Sequence, residues 1–283
     1  MAALRSRFVM TGHVKTHYSE VGDDGPTVIL LHGGGPGSSG DAGFGRMMPY
    51  LADGYQVYAP DGVGGFGLTD PAAPCTEGMQ SRVDQLEAFM DALCLDQICL
   101  SGNSQGAWVA AKYALEHPDR VKKLLLISSS TIANAMGLTS PETEGMRALR
   151  EYDGTLKAMR RVLEALIWDK ELITDELINL RFAAASRPGA EEGRQAFLAG
   201  SNRLTRDPNL RLKFELKHTL PRLGLPTKFI WGENDNFAVP ELGRQLEKLL
   251  PDVPFTYIPR AGHQVQNDQP EVVAKHMQDF FAS

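Results

Sequence analysis

The sequence predicts an α/β fold, a mostly parallel sheet covered by helices on both faces. Three observations carry this. Short β-type runs alternate with stretches of helical periodicity in the first half and again near the end. Several of the runs are apolar without interruption, the mark of strands buried on both faces. A long helical stretch without a strand then interrupts the alternation.

Val28-Ile29-Leu30-Leu31 reads as a buried strand ending in a Gly-rich loop. Tyr55 to Ala59 is the next strand. Met79 to Leu95 has helical spacing through Val83, Leu86, Phe89, Met90 and Leu93. Gln97 to Ser101 is a strand, Gln105 to Glu116 a helix, and Leu124 to Ile127 a strand. Helices are expected at Glu142 to Tyr152, Thr155 to Trp168 and Asp175 to Ala185, with Thr174 or Asp175 opening the last. The rhythm resumes with Thr227 to Trp231, Pro240 to Leu250, Phe255 to Ile258 and Pro270 to Phe281. The expected organisation is a core domain from residues 1–133 and 214–283, with a helical lid at 134–213. Such an insert would cover the carboxyl ends of the strands, where open α/β sheets bind ligands.

Composition sets the class. The chain has 283 residues, 42% hydrophobic and 23% charged, an ordinary globular balance with ample length for a core. Net charge is −6 without a block of like charge, which argues against nucleic acid or an anionic membrane as partner. Met1 to Arg7 holds no long apolar run, so no signal peptide is expected, and no stretch is long enough to span a membrane. Cys75, Cys94 and Cys99 form no metal-ligand spacing and are expected to be buried reduced thiols, in keeping with a cytoplasmic protein.

Gly102-Asn103-Ser104-Gln105-Gly106 matches G-x-S-x-G, after a strand and before a helix. A serine there sits on a sharp turn that small residues on either side permit. The helix beginning at Gln105 aims its amides at developing negative charge. The bland reading is a strand–helix turn with an incidental serine. His32-Gly33-Gly34-Gly35-Pro36-Gly37 also follows a buried strand and resembles an oxyanion loop. A phosphate loop would need Gly-Lys-Ser/Thr, or glycines that open a helix, and neither is present. The expected oxyanion donors are the amides of Gly34 and Gln105. His32 is read as a structural hydrogen-bonding residue.

Of the histidines, His263 stands in Arg260-Ala261-Gly262-His263, just after the final strand. His117 reads as a helix C-cap. Asp235 follows the strand Thr227 to Trp231, with room for one helix and one strand before His263. Glu233 is the rival carboxylate. Ser128-Ser129-Ser130-Thr131, after an earlier strand, offers none. Ser104, His263 and Asp235 therefore form the candidate nucleophile, base and acid, in the chain order of the α/β-hydrolase fold. Asp61 reads as a loop-organising Asx turn.

Together these residues resemble the meta-cleavage product hydrolases of aromatic catabolism. The resemblance spans nearly the whole chain. It rests on the glycine loop at 32–37, Gly102-Asn103-Ser104, Trp231 to Phe237, and the lid run Leu172 to Leu177 leading to Arg181. It implies cleavage of a carbon–carbon bond in 2-hydroxy-6-oxo-2,4-dienoates, without metal or cofactor, in a homodimer. It also implies that Asn103 and Arg181 bind the carboxylate and enol end, with Gly35 and Gln264 beside the substrate. Arg181 by itself reads equally as a solvated helix residue. Gln264 stands where the family usually has Trp, Gln105 where it has Met, and Ala107 where it has a second Gly; an Asn of the oxyanion side is replaced near Gly43. These departures leave open an esterase or lactonase with the same residues. The loop also suggests a proline iminopeptidase, but the Gly-x-Ser-Trp-Gly turn is missing. A non-catalytic receptor is the third class. Met136, Met146, Met159, Leu163, Ile167 and Trp168 are expected either to line an apolar pocket or to pack the lid helices.

Overall fold

A computed structural model describes residues 2–283. Its eight strands form one sheet in the order β1-β2-β4-β3-β5-β6-β7-β8. They are β1 (Arg5–Thr11), β2 (Val14–Val21), β3 (Thr27–Leu31), β4 (Gln56–Pro60), β5 (Ile98–Asn103), β6 (Val121–Ile127), β7 (Thr227–Gly232) and β8 (Phe255–Ile258). The neighbours from β4 through β3 to β8 run parallel, and β1 and β2 add an antiparallel edge.

The apolar runs alternate between two cores, one on each face. Ile29, Leu31, Leu100, Leu124, Leu126, Phe229 and Trp231 face one cluster. Val28, Leu30, Cys99, Leu125, Ile127 and Ile230 face the other. The helices are α1 (Gly40–Phe44), α2 (Met79–Ala92), α3 (Gln105–Glu116), α4 (Ser130–Ala135), α5 (Glu144–Arg150), α6 (Leu156–Leu166), α7 (Asp175–Ala185), α8 (Ala190–Arg206), α9 (Pro208–Phe214), α10 (Pro240–Leu249), α11 (Val265–Asp268) and α12 (Pro270–Ala282). Val83, Leu86 and Phe89 of α2 and Trp108 of α3 cover the first face. Phe44 of α1 and Val273 and Met277 of α12 cover the second.

Two parts differ from the sequence reading. The β1–β2 hairpin has its polarity inverted: Phe8 and Met10 are exposed, while Thr16, His17 and Ser19 are buried. Apolar alternation therefore gives no signal there. Helices α8 and α9, not assigned from the sequence, occupy the rest of the stretch expected to be helical. Along α8 the buried stripe mixes Phe197 and Leu204, which join the main core, with glycines at close approaches: Gly193 lies against the backbone of Pro71 and Gly65, and Gly200 against Thr76 and Gly78. The cysteine expectation also needs correction. Cys75 and Cys99 are buried, but Cys94 is exposed, because it sits at φ 53° in the turn that ends α2.

The insert has its own small core. Met159, Val162, Leu163 and Leu166 make one face of α6 and meet Ile173 and Ile178. Thr155 and Thr174 cap α6 and α7 by accepting the amides of Ala158 and Leu177. Among the described residues no helix is long and apolar enough to cross a membrane.

Leu163→Ala is expected to destabilise the protein by about 2–5 kcal/mol through a cavity in this insert core, read by urea denaturation.

Candidate active site

The parallel register brings three loops to one end of the sheet. Leu31, the last residue of β3, pairs with Gly102 of β5, which in turn pairs with Leu126 of β6. The glycine loop and the serine turn thus leave the sheet side by side.

Ser104 follows β5 and precedes α3, at φ 59° and ψ −121°. That conformation is strained for a side-chain-bearing residue. A Cβ on Gly102 would collide with the carbonyl of Gly106, and one on Gly106 with that of Leu31. The turn is pinned from outside as well. Ser104 N–H donates to Ile127 O at 2.9 Å. The Ser129 hydroxyl donates to Ser104 O at 2.7 Å.

His263 lies on the loop between β8 and α11. Its Nδ1 is 2.9 Å from Asp235 Oδ2, and both residues are 2% exposed. The other oxygen, Asp235 Oδ1, accepts the amides of Phe237 at 2.7 Å and Ala238 at 2.8 Å. The carboxylate is thereby fixed behind the ring, and the Phe237 ring stacks on the imidazole at 4.7 Å. Glu233, the rival acid, is exposed and not bonded to His263. Nε2 of His263 has no hydrogen-bond partner among the described residues. It borders a cavity of about 180 Å³ that Ser104 also lines, with Gly34, Gly35, Asn103, Gln105 and Gln264. Such a constellation can deprotonate the serine, hold the resulting imidazolium against a carboxylate, and perform acyl transfer.

The glycine loop is held by a chain of buried polar groups. Gly62 N–H donates to His32 Nε2 at 2.9 Å, which leaves the ring proton on Nδ1, 2.7 Å from Gly33 O. In a trans peptide the carbonyl and the following N–H point opposite ways. Gripping Gly33 O therefore aims the Gly34 amide away from His32. That amide donates to no protein group among the described residues. Gln105, first in its helix, likewise has an amide without an intrahelical acceptor. Burial and the neighbouring Arg82 hold the His32 pKa well below its ordinary value, so the ring stays neutral.

Arg181 corrects the solvated-helix alternative, since it is 0% exposed. Its Nη2 donates to Pro36 O and Ser38 Oγ, both at 3.0 Å, and Ser38 in turn donates to Gly34 O at 2.6 Å. Nε and Nη1 have no partner among the described residues. Burial pulls the pKa down to about 10, which still leaves the group charged at neutral pH. It lies behind Gly35 and Pro36, which border a second chamber of about 410 Å³ with Tyr152 and Arg194.

Other expectations are met differently. Asn103 lines the cavity, but its amide hydrogens are engaged by His263 O at 3.0 Å and Ile127 O at 3.3 Å. It ties β5 to the His263 loop and has no free amide hydrogen. Gln264 also lines the cavity, with its Oε1 accepting from Asn267 at 2.9 Å. Asp61 is not an Asx turn. It is a buried hub that accepts the amides of Gly40 and Leu68, each at 2.7 Å, and faces His17 Nδ1 at 2.7 Å. Of the lid candidates, only Met146 borders the second chamber. Met159, Leu163 and Ile167 belong to the insert core, Met136 to the main core, and Trp168 is 40% exposed.

Sequence reasoning missed Asp268. Its carboxylate accepts Gly262 N–H at 2.7 Å, next to His263, and the amides of Trp168 and Asp169 at 3.0 Å, at the end of α6. Gln264 N–H reinforces the joint by donating to Leu166 O at 3.0 Å. Only the short spacing from His263 to an acid before Pro270 could have signalled it.

Residues 26–270 match the sequence profile described as alpha/beta hydrolase fold, and the chain belongs to that family. Within it, the chain is similar to hydrolases named for 2-hydroxy-6-oxo-dienoates. It is 31% identical to the 2-hydroxy-6-oxo-2,4-heptadienoate hydrolase of Pseudomonas putida F1, over 98% of this chain and 96% of that protein. Identity to the 2-hydroxy-6-oxo-6-phenylhexa-2,4-dienoate hydrolase of Burkholderia cepacia is 30%, over 95% and 92%. Among solved structures, a meta-cleavage product hydrolase from Pseudomonas fluorescens IP01, a serine-to-alanine mutant complexed with acetates, superposes with TM-score 0.80. It shares 29% identity, over 98% of this chain and 97% of that one.

Two measurements check this architecture. Stability is expected to fall as pH drops below 6.5, the ordinary histidine value, because the unfolded chain takes up a proton that His32 refuses. The slope from this group approaches about 1.4 kcal/mol per pH unit, and His32→Asn is expected to flatten the profile. Asp268→Ala strands three amides and is expected to cost about 1–3 kcal/mol in chemical denaturation.

Proposed function

We propose that this chain is a serine-dependent hydrolase that cleaves a carbon–carbon bond in 2-hydroxy-6-oxo-2,4-dienoates. The observation that carries the reading is Arg181. A fully buried guanidinium with two unpartnered nitrogens calls for an anion, and a carboxylate matches its planar fork. It stands behind the loop that flanks the reactive serine. The names of the relatives agree, since each describes a dienoate.

In the proposed reaction the carboxylate end rests near Arg181, and the 6-oxo carbon lies over Ser104. Tautomerisation of the dienol first places an electron sink beside the bond to be cleaved. His263 takes the serine proton as Oγ adds to the ketone, and Asp235 stabilises the imidazolium. The amides of Gly34 and Gln105 hold the oxyanion, each worth about 3 kcal/mol in comparable sites. Collapse breaks the carbon–carbon bond, the departing carbon gains a proton, and the acyl group stays on Ser104. Water then adds to the acyl-enzyme with His263 as base. The insert at 134–213 serves as the lid over this site.

The test is a panel of ring-fission dienoates followed by loss of their yellow absorbance. Wild type is expected to turn them over, and Ser104→Ala to lose at least about 10³-fold in kcat. Arg181→Gln is expected to weaken binding about 10–100-fold. Hydrolysis of p-nitrophenyl esters with no action on any dienoate would leave a serine hydrolase and defeat the carbon–carbon reading.

A further inference from the structure

The two chambers share Gly35, Gln105 and Leu149 along their boundary. Only Gln105 brings a polar side chain there. Its carboxamide stands over Gly34, where any Cβ would collide with it. Oε1 is buried and has no hydrogen-bond partner among the described residues. Buried carbonyl oxygens are nearly always bonded, and a bare one is costly. A methionine or leucine would fill the same space without that cost. The unpaired oxygen therefore points to a donor that arrives with the ligand.

The neighbouring unpaired groups say which ligand. Arg181, behind Gly35, has two nitrogens, Nε and Nη1, that donate to no protein group among the described residues, and Gln105, over Gly34, offers a free acceptor. Gly34 and Gly35 are consecutive, so the two groups flank the same short stretch of loop. A carboxylate with a hydroxyl on the adjacent carbon presents an acceptor and a donor to such a pair.

We infer that the Gln105 side chain accepts a hydrogen bond from the C2 hydroxyl of the substrate, beside the carboxylate held by Arg181, and so selects 2-hydroxy dienoates over their ethers. This rests on the function proposed above. A rotation about the last side-chain bond, which is soft in glutamine, brings Oε1 to the hydroxyl.

Binding to Ser104→Ala, which retains its ligand, separates the possibilities. The probes are 2-hydroxy-6-oxo-hepta-2,4-dienoate and its 2-methoxy ether, followed by absorbance titration. Ser104→Ala is expected to bind the hydroxy form at least about tenfold more tightly, the worth of one buried hydrogen bond. In Ser104→Ala combined with Gln105→Met the ratio is expected to fall within about twofold. Gln105→Leu in the same background, a second apolar variant, guards against a folding defect particular to methionine. An undiminished ratio in both double variants overturns the inference while the proposed function stands. Failure of Ser104→Ala to bind either probe removes the proposed function itself, and this assignment with it.

Discussion

The site depends on one strained peptide. Ser104 holds φ 59° between a strand and a helix, a conformation that costs about 1–3 kcal/mol and persists only when its surroundings over-determine it. Here the surroundings are the Ile127 carbonyl, the Ser129 hydroxyl and two glycines whose missing Cβ atoms let neighbouring backbones close in. Those contacts come from β6 and from the loop after β3, so the sheet itself sustains the turn. The same geometry that lifts the hydroxyl also begins α3, which leaves the Gln105 amide free beside it.

Around that turn the charges are arranged by burial. His32 is kept neutral so that one nitrogen accepts and the other donates, and the orientation of the Gly34 amide follows. Arg181 is kept charged but only half-satisfied. The bond from Arg181 to Ser38, and from Ser38 to Gly34 O, places the guanidinium in the same network as the oxyanion loop. A ligand carboxylate would add its bonds to a framework already in place, which limits the ordering cost of binding.

The insert is joined to the site both through Arg181, which bonds the glycine loop, and through Asp268. Asp268 bonds the chain just before His263 and the end of α6 at once, and Leu166 lies in both the insert core and the wall of the cavity. The position of His263 and the position of the end of α6 are therefore mechanically linked. Elsewhere the insert contacts the core through close backbone approaches at Gly193 and Gly200, which tolerate little sliding.

Sequence alone pointed to the parallel sheet, the order of the loops, and Ser104, Asp235 and His263 as residues of one end of the sheet. Those features rest on local signals: buried apolar runs, glycines around sharp turns, and a carboxylate and an imidazole after successive strands. The β1–β2 hairpin was illegible because its buried face is largely polar, and α8 because glycine and serine interrupt its buried apolar stripe. Tertiary structure alone decided the partners of each polar group. It turned Asn103 inward to the His263 carbonyl, buried Arg181 completely, made Asp61 a hub, and joined Asp268 to both the end of α6 and the His263 loop. The reason is physical: a hydrogen bond between residues far apart in the chain depends on where folding brings their backbones, and no periodicity records it.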